Sequence, residues 1–152
     1  MTGRLGRTAT TTGAGSLARG RRRRSPRREA HAVIALTVRQ PWASRIIAGR
    51  ACEHRSWAPP PGLVGQRIAI HAATQLHAVA TAADRELPRG AVIGTVRLVG
   101  VHELTRAEKR RAGVRGRAEM ARPRYVWLLA DPKPLPAPVP ARGKLRMWTW
   151  EG

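Results

Sequence analysis

A single cysteine, Cys52, stands in a chain of 152 residues. That excludes an intramolecular disulfide, a cysteine-built zinc knuckle and a CxxC redox pair, and leaves Cys52 the expected role of a small buried hydrophobe. No apolar run approaches the roughly 18 residues a membrane-spanning helix needs, and the N-terminus lacks the apolar centre of a secretory signal. Cytoplasmic residence is the default expectation. Acids are scarce as well: nine Asp and Glu face 29 Lys and Arg, for a net charge of +20. Lysine is almost absent, with Lys109, Lys133 and Lys144 against 26 arginines. Such an excess favours a polyanionic partner, RNA or another nucleic acid above all. Neither helix nor strand spacing joins His71 and His77 to further ligands, so neither a metal nor a cofactor is expected.

The excess is uneven. Residues 1–30 carry nine Arg against one Glu, with Arg21, Arg22, Arg23, Arg24, Arg27 and Arg28 in a single run and no hydrophobic periodicity. A segment of this kind buries too little apolar surface to offset its ordering entropy, and is expected to be a disordered tail that either grips phosphates or only solubilises. Without it the charge is still about +12.

Order is expected from Ala32 to Glu151, in one domain of common size. The apolar, β-branched run Ala32 to Val38 reads as a strand. Pro41 suits the first position of a helix and Gly49 the left-handed residue beyond its end; Trp42 with Ile46, and Ala43 with Ile47, make i,i+4 pairs between them. A strand over Cys52 to Trp57 follows, with Glu53, Arg55 and Trp57 on one face at period two. The Ala58 to Gly62 stretch, with three prolines, is a stiff loop. Gln66 to Ala73 alternates, placing Ile68 and Ile70 on the apolar face and His71 on the other.

Alanine-rich Thr74 to Glu86, with Leu76, Val79 and Ala80 as an apolar stripe, predicts a second helix. Ala91 to Glu103 predicts a long strand curled at Gly94 and Gly100. Leu104 to Arg122 predicts a helix fragment, capped by Thr105, within a mobile basic insertion. Arg124 to Ala130 is a central strand, the Pro-rich Lys133 to Pro140 a crossover, and Lys144 to Trp150 the last strand. No internal repeat is visible. The expectation is an α+β fold: a small, partly closed β-barrel of about six strands with two or three helices, Trp127, Trp148 and Trp150 in its core.

The ordered blocks Leu-Thr-Val-Arg-Gln-Pro-Trp-Ala43, Gly49 with Glu-His-Arg-Ser-Trp57, Ile-Ala-Ile-His71, Tyr-Val-Trp-Leu-Leu-Ala-Asp-Pro132 and the closing Trp-Thr-Trp150 resemble the ASCH domain family of the PUA-like superfamily. The resemblance implies a barrel with a cleft beside the first helix that holds RNA or a modified base. It also implies a possible hydrolase, since some members resemble ribonucleases and a small branch looks like amidohydrolases of acetylated cytidine. The family commonly reads Gly-x-Lys-Thr-x-Glu-x-Arg at the helix end. Here Gly49-Arg-Ala-Cys-Glu53 has no Lys and no Thr, the residues that look like base and nucleophile in the amidohydrolase branch. Arg50 cannot serve as a base, because its guanidinium stays protonated.

The residues themselves allow a nucleobase cleft in which Trp42 and Trp57 stack, Glu53 accepts from an amino group and Arg55 donates to a carbonyl or phosphate. The plainer alternative is a structural ion pair beside core tryptophans. Gln40 could read a base edge or cap the helix, and His71 could work as acid, base or phosphate donor or be a satisfied wall residue. Two functions stand: an RNA or modified-nucleobase binding module, expected to be non-enzymatic, and a hydrolase using Glu53 and His71 with a water.

Overall fold

A computed structural model describes residues 32–152. The expected Arg-rich tail, including the Arg21 to Arg28 run, lies outside the described residues. In chain order the elements are β1 (Val33–Gln40), α1 (Trp42–Ile47), β2 (Cys52–Arg55), β3 (Arg67–Leu76), β4 (Ala91–Glu103), α2 (Arg106–Arg111), α3 (Arg117–Ala121), β5 (Tyr125–Pro140) and β6 (Met147–Trp150). The six strands form one sheet in the order β2-β5-β4-β3-β1-β6. Only β1 and β3 run parallel; the other neighbours are antiparallel. The sheet is mixed and not closed, a partly open small barrel of the α+β class.

Curling follows from breaks in strand register. The β4 pairing with β5 shifts between Val92 and Gly94 and between Leu98 and Gly100, so both expected glycines sit at bulges. Gly94 has a second duty: a methyl group there would lie 2.6 Å from Ile47 Cδ1 and 2.8 Å from the Lys133 carbonyl. Only a glycine lets α1 dock this closely. The main core, on the concave face, joins Ala43 and Ile46 of α1 to Leu36, Ile68, Ile70, Val96, Leu98 and Trp127. A fully buried aliphatic such as Ile46 is worth about 2–3 kcal/mol of transfer free energy, enough to hold so short a helix.

The convex face has a smaller cluster of its own. Ala35, Ala69 and Val92 lie beneath Leu135, Ala141, Trp148 and Trp150. Of the three expected core tryptophans, only Trp127 is therefore in the barrel interior. Trp148 pairs opposite Ala35, which fixes it on the outer face.

Three expectations about elements are corrected. Pro41 is the N-cap of α1 rather than its first residue, and its peptide bond with Gln40 is cis. Thr74 to Glu86 is not a helix: β3 continues to Leu76, which pairs with Gln40, and only a 3₁₀ turn forms at Ala83–Glu86. Its apolar stripe had nothing to bury against, and Val79 is 55% exposed. Lys133 to Pro140 is no crossover but the second half of β5, paired with β4 through Thr95–Lys133, Gly94–Pro134, Val92–Val139 and Ala91–Pro140.

The reason lies in the prolines, which fall at 132, 134, 136, 138 and 140. At period two their N–H-less nitrogens all face one edge of an extended chain. Ala141 N–H donates to the Gly90 carbonyl, so at this end the alternate amides face β4 and the prolines face the edge that β2 leaves uncovered. The Thr105 cap is found as expected, as a full capping box with Glu108. Among the described residues no helix is long and apolar enough to cross a membrane.

Candidate nucleic-acid cleft

Gly49, at φ +116°, ends α1 and turns the chain into β2. Arg50 follows directly; its Nε donates to the Cys52 carbonyl and its guanidinium lies 4.4 Å from the Trp42 ring centre. Arg45 reaches the same ring at 4.8 Å, and His77 meets it edge-on. Trp42 is thus a platform already carrying two cations.

β2 pairs Glu53 with Trp127 and Arg55 with Tyr125, and the two charged side chains share a face as their spacing requires. Arg55 Nη2 lies 3.2 Å from Glu53 Oε1 and donates to the Thr37 carbonyl at 3.0 Å. That second bond ties β2 to β1 across the open seam of the barrel. Arg55 Nε is buried with no partner among the described residues. Burial raises the Glu53 pKa, against the lowering pull of Arg55 and then Arg50. Burial likewise lowers that of Arg55, against the opposing effect of Glu53. For each partner desolvation outweighs what the other returns, so the pair is a poor candidate for a purely stabilising bridge.

Around this pair opens a cleft of about 890 Å³ at the seam, walled by β1, α1, β2, the end of β3 and the loop before β6. Among the described residues, Arg39, Arg50, Arg55, Arg124, Lys144 and Arg146 line it with Glu53 as the single carboxylate. Their field favours an anion, and the low-dielectric walls strengthen it. His54, also in the lining, has its pKa lowered by burial first and then by Arg50, Arg124 and His102. Leu145 stands at the rim, 93% exposed.

Of the six residues expected in the site, Trp42, Glu53 and Arg55 come together in this lining. Trp57 does not: β2 ends at Arg55, and Trp57 turns down onto Trp127, edge to face at 4.8 Å, with the Arg146 guanidinium above it at 5.3 Å. Gln40 is fully buried and spent on structure. Its Oε1 accepts from Ser44 N–H, and its Nε2 donates to Ser44 Oγ and to the Pro88 carbonyl. It caps α1, and it is absent from the cleft lining.

His71 lies on the convex face, 1% exposed, its Nε2 bonded to the Ala141 carbonyl and its ring edge-on to Trp148. Glu53 lines the cleft and His71 does not. Cys52 is half-buried rather than fully buried. Among the described residues no three His, Cys, Asp or Glu side chains gather as a metal site.

Reading the sequence missed Arg39, Arg124, Lys144 and Arg146. They come from β1, the residue before β5 and the loop before β6, and only the curling of the sheet brings them together.

No family model and no curated protein matches the sequence. Among solved structures, similar chains are an ASCH protein from Zymomonas mobilis, at 19% identity over 70% of this chain and 72% of that one with a TM-score of 0.47, and two of its variants. The tyrosine-to-phenylalanine variant is 20% identical with a TM-score of 0.49, covering 70% of this chain and 74% of that one. The serine-to-alanine variant is 21% identical with a TM-score of 0.48, covering 70% and 72%.

Proposed function

We propose that the chain is a non-catalytic module that binds RNA, or a modified nucleobase within it, in the seam cleft. The observation that carries this reading is the Glu53–Arg55 pair, desolvated at a cost to both partners on the floor of a cleft lined by six cations. A base entering edge-first meets an acceptor beside a donor, which suits an amino group next to a carbonyl. Guanidinium planes and the Trp42 ring supply stacking surfaces, while Arg39, Lys144 and Arg146 hold the phosphates on either side. Trp57 takes part from beneath, as the ring that seats Arg146. The motif blocks that resemble the ASCH family agree with a cleft at this place.

Incubating the full chain with total cellular RNA and with a panel of nucleosides, then analysing retained and altered species by mass spectrometry, tests the proposal. The expected result is retention of RNA that falls with salt and falls further in Arg55→Gln, with no altered species. Retention unchanged in Arg55→Gln, or turnover of any species that Glu53→Gln abolishes, would overturn it.

A further inference from the structure

The insertion between β4 and β5 carries a charge that the cleft does not use. Arg106, Arg110, Arg111, Arg115 and Arg117 are all exposed, and among the described residues none has a carboxylate within ion-pair distance. The two acids of α2 and α3 are committed elsewhere. Glu108 accepts from the Thr105 N–H and hydroxyl, and Glu119 pairs with Arg122 and Arg124.

The insertion is a built structure rather than a loose charged loop. Lys109, 6% exposed, donates its ammonium to the Met120 and Arg122 carbonyls and so clasps α2 to the end of α3. It also adjoins the cleft, since Ala112 at the end of α2 and Arg124 after α3 both belong to the lining. Unpaired guanidiniums on a fixed frame, continuous with a cationic cleft, match a chain of regularly spaced phosphates.

We propose that α2 and α3 form a backbone-tracking surface for single-stranded RNA leaving the cleft, a role that rests on the cleft's binding RNA as proposed above. The cleft takes a base or two, and the insertion takes the phosphates that follow. Affinity then depends on RNA length beyond what the cleft alone can fill.

The test is a fluorescence-anisotropy titration of the full chain with labelled oligouridine of about four and about twelve nucleotides, spanning the site sizes usual for single-strand binders. The variant combines Arg106→Gln, Arg110→Gln and Arg111→Gln and leaves Lys109 in place, with an unchanged urea midpoint as the folding control. It should bind the longer RNA about tenfold more weakly, with the salt slope reduced by about 2 for three lost contacts, and bind the shorter one as wild type does. Equal loss for both lengths, or loss for neither, would overturn the tracking surface. So would displacement of the longer RNA by oligoglutamate of matched charge as effectively as by unlabelled RNA, since the surface would then be a generic polyanion site. Arg55→Gln separates the two proposals: it should weaken both lengths, and if it weakens neither while the triple variant weakens the longer RNA, the cleft reading fails and the insertion is an RNA site of its own rather than an extension of the cleft.

Discussion

Gln40 and Arg55 are the two polar side chains on which the account turns, and their bonding assigns them opposite work. Every polar atom of Gln40 is engaged inside the protein, so Gln40→Ala should strand the Ser44 N–H and the Pro88 carbonyl and cost roughly 2 kcal/mol, read as a lowered urea midpoint. RNA affinity at a temperature where the variant remains folded should not move. Lost binding with unchanged stability would place Gln40 in the cleft instead. Arg55, by contrast, keeps a buried Nε without a partner among the described residues and sits where burial works against it.

This division was only half legible in the sequence. Period two put Glu53 and Arg55 on one face, and Gly49 marked the turn before them. Nothing in the order of residues says that Trp57 leaves that face, because the strand stops at Arg55. The alternation of Gln66 to Ala73 points His71 away from the main apolar face, as the structure has it, but a second cluster covers that side as well.

At the scale of elements, α2 depends on its first turn. The Thr105 N–H and hydroxyl, both bonded to Glu108, hold that carboxyl below its ordinary value of 4.5. A carboxylate whose pKa is depressed by folding stabilises the folded form above its unfolded value, and that contribution is lost as pH falls through the depressed one. An NMR titration should therefore find Glu108 protonating at a lower pH than a free glutamate, and Thr105→Val should bring the midpoint up. A midpoint at or above the ordinary value in the wild type would remove the capping box from solution.

The elements also show why pattern reading failed where it did. Five prolines at period two spell an edge strand with one silent side, but proline density alone reads as a loop. Alanine-rich 74–86 has the propensity of a helix and no surface to bury it on, so pairing of Leu76 with Gln40 takes its first residues into β3.

The described residues form a curled sheet left open along one seam, with six cations lining the cleft where the seam gapes. The strand order sets β2 and β6 at opposite ends of the sheet, and the Arg55 bond to Thr37 spans the gap between β2 and β1. Cations from distant parts of the chain meet there, an assembly that composition foretold in sign but not in place. The most direct measurement of the central claim is hydrogen–deuterium exchange of the full chain with and without single-stranded RNA at moderate salt. Slowed exchange in peptides covering residues 50–57 and 142–146 is the predicted result. Protection confined to residues 1–31, or none in either cleft segment while RNA is bound, would contradict it.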